Sequence, residues 1–210
     1  MNRVTLNSLS RVTLSSLSRV TLSLSKGFIL TLLCTVPALA AETTWKADPV
    51  HSSANFTVIH MAISRVRGII PIKSATIVVP DGSNIPTSAT AVLDPGGINT
   101  QNDMRDGDLK SAHFFDVAAN PQMEFTSTSI TATDATHFTM SGNLTMHGQT
   151  HPVTLNGSYL GRASGPRGMR IAYTATVTVD RTQWGMTYGN PVVSNSADLE
   201  IDIEADAPAK

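Results

Sequence analysis

The feature that most constrains this chain is a two-residue alternation of apolar and smaller or polar side chains that runs through most of its length. In one segment every second position is apolar, with alanine or threonine between: Ile171, Tyr173, Ala175, Val177 and Val179. Residues 198–204 repeat the pattern, with aliphatic side chains between carboxylates. A period of two is the spacing of side chains on one face of a β-strand. The chain is therefore predicted to be all-β, with strands that bury one face.

Clusters of glycine, proline, asparagine and aspartate interrupt the alternation at short intervals and mark turns between strands. They divide the chain into nine segments, and about eight strands are expected because the first two segments can be continuous. A bend is expected in the third segment at Pro71. The predicted strands cover residues 44–48, 52–60, 66–79, 88–94, 122–130, 136–146, 151–161, 167–180 and 192–205.

The polar stretch 102–116 departs from this pattern and ends in the pair Phe114-Phe115. We predict one short helix over residues 100–112, because Thr100 and Asp103 resemble the start of a capping box. Gly107 weakens the helix prediction, since glycine is a poor helix former. A polar insert that ends in two bulky apolar side chains is expected to cover a cavity, with one of the two phenylalanines at its mouth.

Residues 1–40 are predicted to be a secretory signal peptide. Four basic and no acidic residues precede the apolar run 27–36, and Ala38-Leu39-Ala40 follows it as a cleavage site. The run is shorter than the ~20 residues needed to span a bilayer. Leu33 precedes the single cysteine, Cys34, so no lipid anchor and no stable membrane anchor are expected. An octad repeat in residues 4–26 is assigned no role in the fold.

The domain that remains, residues 41–210, contains no cysteine, which excludes disulfides and cysteine-bound metal from it. It carries 11 basic and 16 acidic residues, and therefore a net charge of −5 with histidine neutral. That balance argues against nucleic acid as a partner, because nucleic-acid binding requires a clustered basic surface. A chain of this length buries a full core without covalent cross-links.

Many antiparallel strands in one domain form either a sandwich or an up-and-down barrel. We predict a single antiparallel eight-stranded β-barrel, because the strands are long and the Trp-and-Cys signature of immunoglobulin domains is absent. A barrel of eight strands is either filled by its own side chains or holds one small ligand. Several strands carry threonine, serine or alanine opposite their larger apolar residues, and those small residues would leave a cavity if they faced inward.

Groups for catalysis are hard to find in the sequence. The Gly-x-Ser-x-Gly elbow of serine hydrolases is absent. Asp103, Asp106 and Asp108 lack the downstream glutamate of an EF-hand calcium loop and are interpreted as a solvated helix face. Six histidines remain, of which His147 and His151 straddle a predicted hairpin turn, but a zinc site needs three or four converging ligands. The preferred interpretation has no metal, no cofactor and no catalytic residues.

Several motifs follow one another in a definite order along residues 41–210. They are Trp45-Lys46-Ala47-Asp48 with His51-Ser52, Val66-Arg67-Gly68, Asn102-x-x-Arg105-Asp106 with Phe114-Phe115-Asp116, Gly142-x-Leu144-Thr145-Met146-His147-Gly148, Asp180-Arg181 with Trp184-Gly185, and Leu199-x-Ile201-x-Ile203-Glu204. Together they resemble the bacterial YceI-like family of lipid- or polyisoprenoid-binding proteins. The similarity extends over nearly the whole of residues 41–210, and its specificity comes from the order of the motifs rather than from any one of them.

The resemblance implies a lipocalin-like fold with an apolar lumen, in a periplasmic or secreted protein that is not an enzyme. Its expected ligand is a long amphiphile such as an isoprenoid, a quinone or a fatty-acyl amide. Alternation defines two faces of each strand but not which face lies inside. The candidate site residues are therefore chosen by residue type alone, as large apolar side chains for the lumen and charged or imidazole side chains for the head group. Lumen candidates are Phe56, Val58, Phe114, Phe115, Phe125, Met140, Leu144, Met146, Tyr173 and Trp184, and head-group candidates are His60, Arg67 and His113.

Two other functions stay open at this point. The first is a metal-dependent hydrolase that uses His147 and His151, and the second is a structural β module without a ligand. The sequence also leaves open whether the protein is a monomer or a homodimer.

Overall fold

The computed structural model of the chain describes residues 41–166 and 168–208, so the predicted signal peptide, residues 1–40, lies outside the described residues. Nine strands, one α-helix and two 3-10 segments, Pro95–Gly97 and Arg181–Trp184, make up the described part. The strands are β1 (Glu42–Ala47), β2 (Ser53–His60), β3 (Ser64–Pro80), β4 (Ser88–Leu93), β5 (Met123–Ala132), β6 (His137–Met146), β7 (Gln149–Gly165), β8 (Gly168–Asp180) and β9 (Val193–Asp206). The helix is α1 (Asp103–Lys110).

The strands form one antiparallel sheet that closes into a ring of eight. Its order is β3-β2-β9-β8-β7-β6-β5-β4, and β4 pairs with β3 again to close it. Strands β1 and β2 occupy the same position in the ring, because each pairs with β3 on one side and with β9 on the other. The all-β prediction and the expected eight strand positions are confirmed, whereas the first two segments are separate strands that share one position in the ring.

The alternation read from the sequence separates the inside of the ring from its outside. On β6, Phe138, Met140, Gly142, Leu144 and Met146 are buried inside, whereas the residues that alternate with them are less buried. The same holds on β8 and β9, whose inner positions join a single apolar core with those of the other strands. Burial of this face supplies most of the stabilisation of such a fold.

Strand β3 is irregular close to the predicted bend at Pro71. Its pairing with β4 shifts register between Ile72 and Ser74, and Lys73 and Ser74 are both exposed. The shift moves the buried positions from even to odd residues, so Ile72 and Ala75 both face the core. An extra residue of this kind bends a strand and increases its local twist.

The helical insert is shorter than predicted, and its cap is a different residue. Helix α1 begins at Asp103 and ends at Lys110, and the Asn102 side chain accepts a hydrogen bond from the Arg105 backbone N–H as the N-cap. Thr100 lies before the cap, where its backbone N–H and its hydroxyl donate to the buried Asp106 carboxylate. The capping-box interpretation was wrong because Thr100 is used to anchor the helix to the preceding loop.

None of the described helices has the length and apolarity needed to cross a bilayer.

The loop that leads into the insert reaches β3, where Ile69 and Asn99 exchange backbone hydrogen bonds of 2.9 and 3.0 Å. This bridge occupies the edge of β3 that β4 leaves free.

Three inward-facing glycines provide the space for phenylalanine rings on neighbouring strands. The Phe56 ring covers Gly68, the Phe125 ring covers Gly142, and the Phe138 ring covers Gly157. A Cβ atom built at any of these glycines would lie within 2.5 Å of a ring carbon. The rings therefore fill the interior where the opposite strand has no side chain.

We predict that Gly142→Ala lowers the free energy of unfolding by about 1–3 kcal/mol, the usual cost of overpacking a core. The added Cβ would lie 2.4 Å from Cζ of Phe125 and 2.6 Å from the Thr126 carbonyl oxygen, and the backbone oxygen has little freedom to move. Denaturant titration measures the change. Gly107→Ala is the matched control, since nothing lies within 4 Å of its Cβ position and alanine favours helix. Equal stability of the two variants would contradict the packing argument.

Candidate functional site

The main cavity inside the ring lies beneath the helical insert and has a volume of about 310 Å³. Its wall is mostly apolar and comes from strands on several sides of the ring together with the insert. The strands contribute Phe56, Val58, His60, Val66, Ile70, Met123, Met146, Val179, Val193, Ala197 and Leu199. Its volume is at the lower end of the ~300–1,000 Å³ typical of small-molecule sites.

The insert supplies the cover of this cavity through Leu109, Phe114 and Phe115. Phe114 is buried and Phe115 half-buried, and the Phe115 backbone N–H donates to the Leu109 carbonyl at 3.0 Å. This bond folds the chain back over the end of α1 and brings both aromatic side chains to the same cavity. The predicted role of the insert as a cover agrees with this arrangement.

Contacts outside the cavity tie the cover to the loop before β9. The His113 ring stacks on Tyr188 with centroids 4.1 Å apart, and the Phe114 ring meets Tyr188 edge-on at 5.6 Å. Nδ1 of His113 donates to the Asp108 carboxylate at 3.0 Å. His113 is thus a residue of the cover rather than of the cavity wall.

Arg181 is the buried polar residue of the cavity wall that the sequence reasoning missed. Its side chain is buried, with 5% of the residue exposed, in the 3-10 segment after β8. Burial lowers the pKa of its guanidinium from the ordinary value, and the nearby Asp180 carboxylate partly opposes that shift. In the sequence Asp180-Arg181 stands out only as part of a family motif, although a charged residue between an apolar strand end and Trp184 signals an unusual position.

Three other lumen candidates lie around a second, smaller cavity of about 80 Å³. Phe125, Met140 and Tyr173 line it, and the Tyr173 hydroxyl donates to the Asn84 carbonyl at 2.9 Å. Burial raises the pKa of this phenol well above its usual range. The hydroxyl therefore stays protonated at physiological pH and serves as a hydrogen-bond donor at this end of the ring.

The two cavities follow one another along the strands. On β6, Met146 lines the larger cavity and Met140 the smaller. On β9, Leu199 and Ile201 occupy successive inner positions and line one cavity each. Leu144 is buried at an inner position of β6 between the two methionines and lines neither cavity.

Trp184 also lines neither cavity and instead packs as a core residue with 1% of its surface exposed. Its indole N–H donates to the Leu144 carbonyl at 3.0 Å. Nδ1 of His147 donates to the Trp184 carbonyl at 2.7 Å, and the His151 ring meets the indole edge-on. The two histidines of the hydrolase alternative therefore pack around a tryptophan.

One cluster of histidine and acidic side chains in the described ranges, 41–166 and 168–208, is compact enough to hold a metal ion. It consists of Asp48, His51 and Glu204, at the break between β1 and β2. The Arg170 guanidinium already pairs with Asp48 at 3.5 Å and with Glu204. The cluster therefore contains its own cation, and it lies apart from the residues that line the two cavities.

Arg67 faces outward, because its neighbours Val66 and Gly68 occupy the inner positions of β3. It borders an open groove of about 950 Å³ that is lined by polar residues such as Thr57 and Glu200. Of the three head-group candidates, His60 alone contributes to the wall of the main cavity.

Comparison with known proteins places this architecture in a recognised group. The YceI-like domain profile matches residues 45–205. Protein YceI of Salmonella newport is 29% identical over 181 residues, which cover 85% of this chain and 94% of that protein. The Salmonella agona protein of the same name is 28% identical over 178 residues, with coverages of 84% and 93%.

Solved structures of three bacterial proteins have similar folds. A Campylobacter jejuni YceI protein has a TM-score of 0.62 at 25% identity and covers 72% of this chain and 90% of its own. Burkholderia cenocepacia BcnA has a TM-score of 0.66 at 14% identity, with coverages of 76% and 99%. A polyisoprenoid binding domain from Saccharophagus degradans has a TM-score of 0.58 at 15% identity, with coverages of 79% and 99%. The closed eight-stranded ring and the family match over residues 45–205 together show that this chain belongs to the YceI-like domain family.

Proposed function

We propose that this protein binds the hydrocarbon chain of a single long amphiphile inside its ring of strands. The observation that carries the proposal is the 310 Å³ cavity, whose wall is apolar apart from a few charged or imidazole side chains near the insert. Burying one methylene group contributes about 0.8 kcal/mol, so an alkyl or prenyl chain gains affinity with each carbon that enters. The polyisoprenoid binding domain of similar fold supports an isoprenoid as one candidate ligand.

The second cavity extends the proposed site along the same axis. A chain that filled the main cavity would meet buried side chains such as Leu144 before it reached the space beside Tyr173. Long ligands are expected to need a shift of those side chains, whereas short ones fit without it. Side-chain movements of this kind are common when ligands enter apolar interiors.

We further propose that the protein acts in the periplasm after removal of residues 1–40. The apolar run 27–36 with its Ala38-Leu39-Ala40 cleavage signal supports this location. A binding role, rather than an enzymatic one, is favoured by the packing of His147 and His151 against Trp184. In that compartment the protein would transport or store a lipid through water.

The direct test is native mass spectrometry of the protein purified from the periplasm without detergent, followed by organic extraction. We expect one bound amphiphile per chain and a polypeptide mass that begins at Ala41. An empty protein that also fails to bind prenyl and acyl probes would overturn the proposed function.

We predict that Ala197→Leu weakens the binding of a dodecyl fluorescent probe by about tenfold, because the leucine displaces roughly two methylene groups from the cavity. Ala197 lines the main cavity, and the added carbons enter empty space, so the stability of the fold should be retained. The matched control is Ala175→Leu, which fills the smaller cavity. It should leave the short probe unaffected, and equal loss in both variants would contradict the proposed location.

We predict that Phe115→Ala accelerates dissociation of the bound probe at least tenfold while it costs less stability than removal of a core phenylalanine, ~3–5 kcal/mol. The reason is that Phe115 is half-buried and forms part of the cover. Stopped-flow displacement measures the rate. Phe138→Ala is the control, because Phe138 is fully buried at the far end of the ring. If Phe115→Ala unfolded the protein as readily and left the rate unchanged, Phe115 would be a core residue.

A further inference from the structure

Arg181 is a buried cation in the wall of an otherwise apolar cavity. A charged side chain in such a position is normally paired with an opposite charge, because an unpaired charge loses its hydration without compensation. Within residues 41–166 and 168–208, no carboxylate oxygen lies within 4 Å of the Arg181 guanidinium. Its charge is therefore not neutralised by a direct ion pair with another described residue.

The bonds that Arg181 makes are all to neutral backbone carbonyls. Nε donates to Ser194 at 2.9 Å, Nη2 donates to Val193 at 3.2 Å, and Nη1 donates to Met186. These bonds join the segment after β8 to the beginning of β9 and fix the plane of the guanidinium. A guanidinium has five N–H groups, so two remain for another acceptor.

The nearest acidic side chains are engaged elsewhere. The exposed Asp180 carboxylate accepts from the Thr182 backbone N–H at 3.0 Å and from its hydroxyl at 2.7 Å. Asp108 lines the cavity but accepts from His113 at 3.0 Å. Arg105, the other arginine of the wall, is exposed and donates to Thr100. The wall thus contains two guanidinium groups and one carboxylate, and the carboxylate already has a partner.

We propose that Arg181 binds the anionic oxygen group of the amphiphile, a carboxylate or a phosphate, and so makes the cavity selective for acidic lipids over neutral ones. Arginine suits this role because its planar fork bonds two oxygens of either group at once. The ring of Phe114, 5.7 Å from Cζ of Arg181, covers the guanidinium from the side of the insert. This inference rests on the proposed function, since it names the ligand class for the same cavity.

The test compares ligands with one tail and different head groups: dodecanoic acid, dodecyl phosphate and dodecanol. Each competes with an uncharged alkyl fluorophore at pH 8, where both acids are ionised. The wild-type protein should bind the two acids at least about tenfold more tightly than the alcohol, as expected for a bond to a charged group. Arg181→Met should reduce that ratio to about one, and Arg181→Lys should keep part of it. The carboxylate and phosphate arms distinguish the two sources of negative charge.

The ratio compares the affinity for each acid with the affinity for the alcohol in the same variant. A general loss of stability in Arg181→Met therefore affects all ligands alike and leaves the ratio unchanged. If Arg181→Met fails to fold, the wild-type ratio and the Arg181→Lys variant carry the test. Arg67→Met is the matched control, because Arg67 faces away from the cavity, and it should retain the wild-type ratio. A wild-type ratio near one, a ratio that survives Arg181→Met, or a ratio lost equally in Arg67→Met would overturn the assignment. Failure of the alcohol and both acids to bind the wild-type protein would instead overturn the proposed function.

Discussion

The structure depends on the ability of strand β3 to pair along both of its edges. Its first half pairs with β2, and its second half pairs with β1 on that edge and with β4 on the other. The register shift between Ile72 and Ser74 bends the strand where these partners change, and it keeps apolar side chains inward on both sides of the bend. Without that closure the sheet would have two open edges and no enclosed interior. The cavities, the cover and the buried arginine all follow from the enclosed interior.

The interior is not uniformly filled, because its side chains are distributed unevenly along the axis. Phenylalanine rings lie over Gly68, Gly142 and Gly157 and fill the interior at those three positions. Beneath the insert, smaller residues such as Val58 and Ala197 leave the 310 Å³ space open. The insert covers this space with aromatic side chains, while His113 and Tyr188 hold it from outside. One short insert therefore covers a site whose wall comes from six strands.

Much of the fold and part of the site were predictable from the sequence, for different reasons. Strand positions followed from the alternation, since burial of one face imposes it at every position of a strand. Of the proposed site residues, Phe56, Val58 and Met146 line the main cavity, whereas Phe125 and Tyr173 lie at the smaller one. Alternation predicts which residues share one face of a strand, but not how far along the axis of the ring each residue lies. The residues of the main cavity and those of the smaller cavity could therefore not be distinguished. The assignment of Thr100 to the cap was wrong because its N–H and hydroxyl donate to the Asp106 carboxylate, six residues further along the chain, while Asn102 caps the helix.

The sequence by itself determined the class of fold, the strand boundaries to within a few residues, the position of the insert and the resemblance to a family. These properties depend on local spacing and residue type, which the linear chain contains in full. Only the tertiary structure decided which face is inside, that Arg67 points outward, that Trp184 fills the core, and that Arg181 is buried without a carboxylate within 4 Å in the described residues. Those outcomes depend on the closure of the ring, which brings residues from distant strands into contact and decides which charges are left in a low-dielectric interior.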